Sequence, residues 1–140
     1  MPTYKNVSLS NKEFNGKVIE PGKEICSLAY YNENDIQLLK VSDKPYWNST
    51  ILSEKFTKDV DISVPSKDNL QKPVTKYSIH FCLQDGEVII HYNSASNDPP
   101  LKLYPGCRWN IRTFDRAVDK ILVRGVTDTF TLFVTIERLP

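Results

Sequence analysis

Two histidines and a cysteine lie close together in the segment YSIHFCLQDGEVIIHYNS, residues 77–94. The segment is typical of two strands joined by the Asp-Gly dipeptide at 85–86, which favours a two-residue hairpin turn. In that register His80 faces His91, with Cβ atoms ~5 Å apart. Cys82 follows two residues along the same face, so the three side chains are near enough to bind one ion. Imidazole and thiolate ligands favour zinc.

The ligand count argues against a metal. A structural zinc site normally needs four ligands, often with closely spaced pairs of cysteine or histidine, and this chain has only two histidines. We therefore predict no metal site, with His80, His91 and Cys82 as the candidate ligands if an ion were bound. We interpret their face as a packing or contact surface. The opposite face is continuously apolar and is predicted to face the core: Tyr77, Ile79, Phe81, Leu83, Val88, Ile90 and Tyr92.

Catalytic chemistry has little support in the sequence. Nothing resembles a nucleophile elbow, and the five glycines are scattered and form no phosphate-binding loop. No pair of carboxylates can be located for glycoside hydrolysis. The three cysteines lie apart in the sequence and are predicted to be reduced, buried thiols. We predict that the protein is not an enzyme and binds no cofactor.

The elements that would position these residues are strands. Period-two alternation recurs along the chain and predicts about eight to ten short strands in one antiparallel, all-β domain. We expect residues 1–140 to form a single β-sandwich of jelly-roll type. The C-terminal quarter is predicted to pair 118–124 with 129–138. At most one helical turn is expected, at TFDRAVDK (113–120), and NEND (32–35) is expected to be a polar turn.

A polar stretch near 53–76 contains many of the lysines. We predict a mobile loop region here around one short edge strand, VDISVP (60–65), because lysine and proline are typical of sheet edges.

The charge balance excludes some partners. Eighteen basic residues and 17 acidic residues nearly cancel, which leaves no electrostatic footprint for nucleic acid or an anionic membrane. No apolar run approaches the ~20 residues needed to span a bilayer. The segment MPTYKNVSLSNKEF lacks the apolar region of a secretory signal. We predict that the protein binds neither nucleic acid nor a membrane. We also predict that it is synthesised in a cytoplasm.

Aromatic residues provide a candidate binding surface. In the adjacent pairs Tyr30-Tyr31 and Tyr46-Trp47, one ring must point away from the core if both residues lie in strands. Exposed aromatic rings mark surfaces that bind sugars or proteins. The candidate surface is Tyr31, Tyr46, Trp47 and Tyr104. A carbohydrate-binding module or adhesin-like sandwich is the alternative function that this surface supports.

Two segments resemble, in style, the small all-β virion proteins of tailed bacteriophages. They are FNGKVIEPGKEI (14–25), two strands around a Pro-Gly turn, and KILVRGVTDTFTLFVTIERLP (120–140), which ends on a long strand. The resemblance is architectural and transfers no site residue. It implies a head auxiliary, decoration, neck or tail accessory protein, located in the virion. The implied partners are other virion proteins and further copies of the chain. The segments MPTYKNVSLS and VTIERLP would then be arms that add strands to neighbours.

Overall fold

The structure, a computed structural model, describes residues 1–43, 46–92, 100–113, 118 and 120–140. Within these described residues, fifteen strands and one short helix follow one another. In order they are β1 (Pro2–Lys5), β2 (Lys12–Phe14), β3 (Lys17–Ile19), β4 (Glu24–Cys26), α1 (Glu33–Ile36), β5 (Leu39–Asp43), β6 (Tyr46–Trp47), β7 (Ile51–Phe56), β8 (Val60–Ser63), β9 (Lys67–Asp68), β10 (Tyr77–Asp85), β11 (Val88–Tyr92), β12 (Leu101–Leu103), β13 (Arg108–Thr113), β14 (Lys120–Gly125) and β15 (Thr131–Arg138).

Two four-stranded antiparallel sheets face each other and form the sandwich. The first has the strand order β13-β10-β15-β7 and the second has the order β12-β11-β14-β8. Across the first sheet Ile79 pairs with Ile136 and Phe81 pairs with Val134, all four of them buried. Val123 of the second sheet is buried in the same cluster. The all-β antiparallel fold predicted from the alternation is confirmed.

The predicted core face of segment 77–94 is also confirmed. The six residues from Tyr77 to Ile90 on that face are all buried, and Tyr92 is half-buried against them. Successive side chains of a strand point to opposite faces, so a run of alternate apolar residues must turn that face inward. Residues 93 and 94 lie outside the described residues.

The predicted pairing within 77–94 is wrong. β10 and β11 belong to different sheets, so the dipeptide at 85–86 forms a corner that carries the chain across the core. The predicted C-terminal pair is wrong for the same reason, because β14 lies in the second sheet and β15 in the first. Alternation identifies the buried face of a strand, but a buried face is equally satisfied when its sequence neighbour lies in the opposite sheet.

The corner at 85–86 packs against the corner at 126–130, which joins β14 to β15. The backbone N–H of Val126 donates to the carbonyl of Glu87 at 2.8 Å, and the N–H of Glu87 donates to Thr127 Oγ1 at 2.9 Å. Gly86 has a φ of 76°, and a Cβ added there would lie 2.5 Å from the carbonyl oxygen of Thr129. Only glycine fits this position without strain.

The stretch 53–76 contains more regular structure than predicted. β8 is an edge strand, as expected, but the end of β7 and all of β9 also lie in this stretch. Phe56, Val60 and Ile62 are buried in the core. The mobility of the region stays a prediction.

The first 43 residues form a smaller unit, here called the N-terminal lobe. It contains the sheet β4-β1-β5, the hairpin of β2 with β3, and α1. Its apolar cluster is Tyr4, Phe14, Ile19 and Leu38. Helix α1 lies where a polar turn was predicted. Asn32 caps it by accepting a hydrogen bond from the N–H of Asn34 at 3.0 Å. Most of the segment predicted to be helical, 113–120, lies outside the described residues.

The two predicted arms are parts of the protein's own sheets. β1 is the central strand of the lobe sheet, where Tyr4 is fully buried. β15 pairs with β10 on one side and β7 on the other, so neither of its edges is open. The arm prediction is therefore wrong, because both segments are needed to complete this fold. Over the ranges that the structure describes, no helix is long and apolar enough to cross a membrane.

Candidate functional site

The candidate ligands do not come together. His80 lies on the first sheet opposite Asn110 and Thr135, whereas His91 lies on the second sheet opposite Leu122. Both imidazoles alternate with buried residues, so they point outward from two different faces of the sandwich. No group of three or more His, Cys, Asp and Glu side chains among the described residues could hold a metal ion.

His80 instead belongs to a small polar network on the outer face of the first sheet. Its Nδ1 lies 2.6 Å from Asn110 Oδ1, and its Nε2 lies 3.0 Å from Ser78 Oγ. Asn110 Oδ1 is an acceptor, so the Nδ1 of His80 donates to it, and Ser78 Oγ is the partner of Nε2. These contacts hold the His80 side chain against its own sheet, and a role of this face as a contact surface stays a prediction.

The cysteines are free thiols, but they are less buried than predicted. Cys26 is exposed, and Cys82 and Cys107 are half-buried. Cys26 Sγ lies 3.3 Å from Thr3 Oγ1 in the lobe sheet. Each cysteine lies near a sheet edge or on an outward face, where an apolar neighbour in the sequence does not ensure burial.

The four candidate aromatics do not form one surface. Trp47 is 1% exposed and its indole N–H donates to the carbonyl of Pro65, so its predicted exposure is wrong. Tyr31 is half-buried in the lobe, and Tyr46 is half-buried in β6. Tyr104 is 49% exposed and follows β12, at the opposite edge of the second sheet from β8. The expectation for adjacent pairs applies to Tyr46-Trp47, which lie in β6 with Trp47 buried and Tyr46 half-buried, but not to Tyr30-Tyr31, which lie in no strand.

Glu54 joins the lobe to the sandwich, and the sequence analysis missed it. In β7 it lies opposite Val134, on the core-facing side. Its Oε2 accepts hydrogen bonds from Asn15 Nδ2 at 2.9 Å and from Ser27 Oγ at 2.8 Å, and its Oε1 accepts from the N–H of Leu28 at 3.0 Å. All three donors belong to the lobe. The signal in the sequence is a charge on the apolar face of ILSEKF (51–56), where alternation predicts an apolar residue.

The environment of Glu54 changes its acidity. Burial of the carboxyl raises its pKa to about 7, although Ser27 and the N–H of Leu28 donate to it and Lys17 attracts its negative charge. The hydroxyl of Tyr31 lies 3.5 Å from Oε2, and burial, assisted by the Glu54 charge, raises the pKa of this tyrosine. The junction therefore exchanges a proton near neutral pH.

A cleft opens beside this junction, between the lobe and the edges of β7 and β8. Its volume is about 680 Å3. One wall is the lobe segment 12–16 with Tyr30, Tyr31 and the start of α1, and the other wall is the segment 57–61 with Lys55 and Arg124. Asn15 and Tyr31 line the cleft and also contact Glu54. The cleft is thus walled by the same two units that Glu54 connects.

No family model and no curated protein matches the sequence. Among solved structures the chain is similar to a de novo designed double-stranded β-helix, at 11% identity and a TM-score of 0.40, over 65% of this chain and 100% of that one. It is also similar to the cupin domain of Schizosaccharomyces pombe Cnp3, at 12% identity and a TM-score of 0.36, over 81% of this chain and 82% of that one. A third is the Cupin_2 domain of an XRE family transcriptional regulator from Enterobacter cloacae, at 10% identity and a TM-score of 0.35, over 66% of this chain and 99% of that one. Because the identities and TM-scores are low, function must be inferred from this chain's own residues.

Proposed function

We propose that this protein is a non-enzymatic structural subunit that binds other proteins in a phage virion. Its place would be that of a capsid auxiliary or decoration protein, or of a neck or tail accessory protein. The observation that supports the proposal is the edge strand β5, which carries two exposed apolar side chains. None of its five residues is buried, and Leu39 and Val41 are 44% and 42% exposed.

One edge of β5 is open for pairing. β5 pairs with β1 on one side, and no other strand within the described ranges pairs with its second side. An open edge presents a row of N–H and C=O groups that can pair with a strand of another chain. Main-chain hydrogen bonds would supply the affinity, and the side chains of Leu39 and Val41 would enter pockets of the partner.

The charges that usually protect an edge strand are engaged inside the lobe. The ammonium of Lys40 lies 5.6 Å from the centre of the Tyr30 ring. Asp43 accepts the hydroxyl of Tyr30 at 2.8 Å and lies 3.7 Å from the N-terminal ammonium of Met1. Both side chains therefore have partners on their own chain, which favours β5 as a contact strand.

A second edge offers a contact of the same kind. β13 is an edge strand of the first sheet, and its Trp109 is 49% exposed. Exposed aromatic residues are enriched in protein interfaces. A subunit with two different open edges can contact two neighbours, which suits both self-association and attachment to a lattice of other virion proteins.

The variant Val41→Lys tests the proposal, with Val126→Lys as its matched control. Both valines are similarly exposed, at 42% and 49%, but Val126 lies in the corner after β14. We expect mass spectrometry and electron microscopy to find the wild-type protein on particles purified from the producing cells. Val41→Lys should reduce its incorporation about tenfold or more, and Val126→Lys should leave it unchanged. A protein recovered only as a free monomer, with no copy on particles, would contradict the proposal.

The four aromatic residues predicted to form a carbohydrate-binding surface do not lie together. Trp47 is buried, and Tyr104 lies at a different edge from Tyr31. No ring contact joins any two of the four predicted aromatics over the part of the chain that the structure describes.

A further inference from the structure

The cleft between the lobe and the sandwich has a balanced charge. Its walls contain four basic and four acidic side chains: Lys12, Lys55, Lys58, Arg124, Glu13, Asp35, Asp59 and Asp61. A site for phosphate or another strong anion would show an excess of basic groups. The volume of about 680 Å3 is in the ordinary range of small-molecule sites. The cleft therefore suits a ligand that is polar but carries no net charge.

Two tyrosine rings are held rigidly in this cleft. Tyr30 is 42% exposed and its hydroxyl donates to Asp43, while Lys40 lies over the ring from outside the cleft. Tyr31 packs edge-on against Phe14 at 5.1 Å between ring centres, and its hydroxyl accepts from Asn15 Nδ2 at 2.9 Å. Rings that are fixed before binding lose little conformational entropy when a ligand stacks on them.

Hydrogen-bonding groups of both kinds also line the cleft. Arg124 and Asp61 form an ion pair at 2.7 Å that fixes one wall. On the other wall Lys12 Nζ donates to Gln37 Oε1 at 2.8 Å, which holds that amide at the rim. Carboxylates accept hydrogen bonds from hydroxyl groups, whereas ammonium and amide N–H groups donate hydrogen bonds to hydroxyl oxygens. The cleft thus combines exposed aromatic surface with ordered donors and acceptors.

We propose that this cleft binds a short, neutral oligosaccharide. A pyranose ring has an apolar C–H face, which would stack on Tyr30, and a rim of hydroxyl groups, which would pair with the charged and amide side chains. A balanced set of donors and acceptors matches hydroxyl groups, because each hydroxyl both donates and accepts. β5 does not line the cleft, although Lys40 and Asp43 of that strand contact Tyr30. The proposal does not depend on virion assembly.

The test compares two tyrosines with similar surroundings. Tyr30 lies in the cleft with Lys40 over its ring at 5.6 Å, whereas Tyr104 lies elsewhere with Lys102 over its ring at 5.1 Å. The full-length protein is titrated by calorimetry with cellotetraose, maltotetraose, mannotetraose and tetraacetylchitotetraose, with inorganic phosphate as the anionic probe. We expect at least one tetrasaccharide to bind with a Kd in the millimolar range or tighter. Tyr30→Ala should weaken that binding about tenfold or more, and Tyr104→Ala should leave it unchanged.

Amide chemical shifts of the wild-type protein locate the bound sugar without any substitution. Residues of the cleft, such as Gly16 and Lys58, should shift on titration, and Gly106 beside Tyr104 should not. If Tyr30→Ala does not fold, these chemical-shift changes still show whether the sugar binds in the cleft. The proposal is overturned if no tetrasaccharide binds at about 20 mM. It is equally overturned if phosphate binds more tightly than every sugar, or if both tyrosine variants weaken binding alike.

Discussion

The sandwich is stabilised by different interactions from those that stabilise the N-terminal lobe. The sandwich buries a large, mainly aliphatic cluster between two sheets. The lobe has only four buried residues in its apolar cluster, and it relies on buried polar side chains. Apolar burial stabilises in proportion to area and is not directional. Buried hydrogen bonds act at single positions, and the loss of one leaves its partners unsatisfied.

Asn6 shows how the lobe depends on one polar side chain. It is fully buried, and its Nδ2 donates to the carbonyls of Ser10 at 2.9 Å and of Ile19 at 2.8 Å. Its Oδ1 accepts from the N–H and the hydroxyl of Ser8. Every donor and acceptor of this amide is therefore used. Glu54 plays the corresponding part between the lobe and the sandwich.

The largest effect is expected in the sandwich core. Phe81→Ala should lower the free energy of unfolding by about 3–5 kcal/mol, because the removed ring leaves a cavity between the sheets. Chemical denaturation measures this loss. Phe133→Ala is the control, since Phe133 lies one row away on the outer face of the same sheet and is 39% exposed. It should cost less than about 1 kcal/mol, and equal losses would mean that the sheet faces are assigned wrongly.

A smaller and more local effect is expected in the lobe. Asn6→Ala should cost about 2–3 kcal/mol, because it leaves the carbonyls of Ser10 and Ile19 without their donor. Hydrogen exchange should accelerate in β1 to β5 and stay unchanged in β10 and β15. The control Asn48→Ala removes an exposed amide and should change neither the free energy of unfolding nor the rate of hydrogen exchange. Uniform acceleration across both units would show that they unfold as one.

The two units also differ in how far the sequence predicts them. Alternation of side chains predicted the core face of β10, and nearby lysine and proline predicted the edge position of β8, since both are local properties of the sequence. Alternation did not predict which strands pair, because Gly86 is compatible with a hairpin turn and with a corner between two sheets alike. Asn6 and Glu54 were missed for another reason. Their burial depends on partners 13 to 39 residues away, such as Ile19 and Asn15, and no local pattern identifies those partners, although the charge of Glu54 on an apolar strand face is visible in the sequence.

The junction should make stability depend on pH. Because the folded-state pKa of Glu54 is about 7, against 4.5 ordinarily, the folded protein binds this proton more tightly than the unfolded chain does. This contribution to the free energy of unfolding is therefore greatest below pH 4.5 and falls as the pH rises to about 7. We expect a loss on the order of 2–3 kcal/mol across that window, because each unit of pKa difference corresponds to about 1.4 kcal/mol.

The variant Glu54→Gln isolates this contribution. Its amide cannot ionise, so the part of the pH dependence between 4.5 and 7 that comes from residue 54 should vanish, whatever the variant's absolute stability. Denaturation at a series of pH values measures the slope. Glu137→Gln, an exposed carboxylate on the outer face of β15, should keep the wild-type slope. An unchanged slope in Glu54→Gln would mean that the carboxyl has its ordinary pKa in the folded protein.

The smallest effect distinguishes the corner from the hairpin that the sequence suggested. If His80 and His91 faced each other, their side chains would interact, and His80→Ala and His91→Ala would show an interaction energy in a double-mutant cycle. On outward faces of two different sheets they should be additive to within about 0.3–0.5 kcal/mol. Each single variant should cost little, with His80→Ala the larger because it loses the bond to Asn110. A non-additive cycle, or a zinc-dependent rise in stability that both variants abolish, would restore the hairpin and bring the two imidazoles to one site.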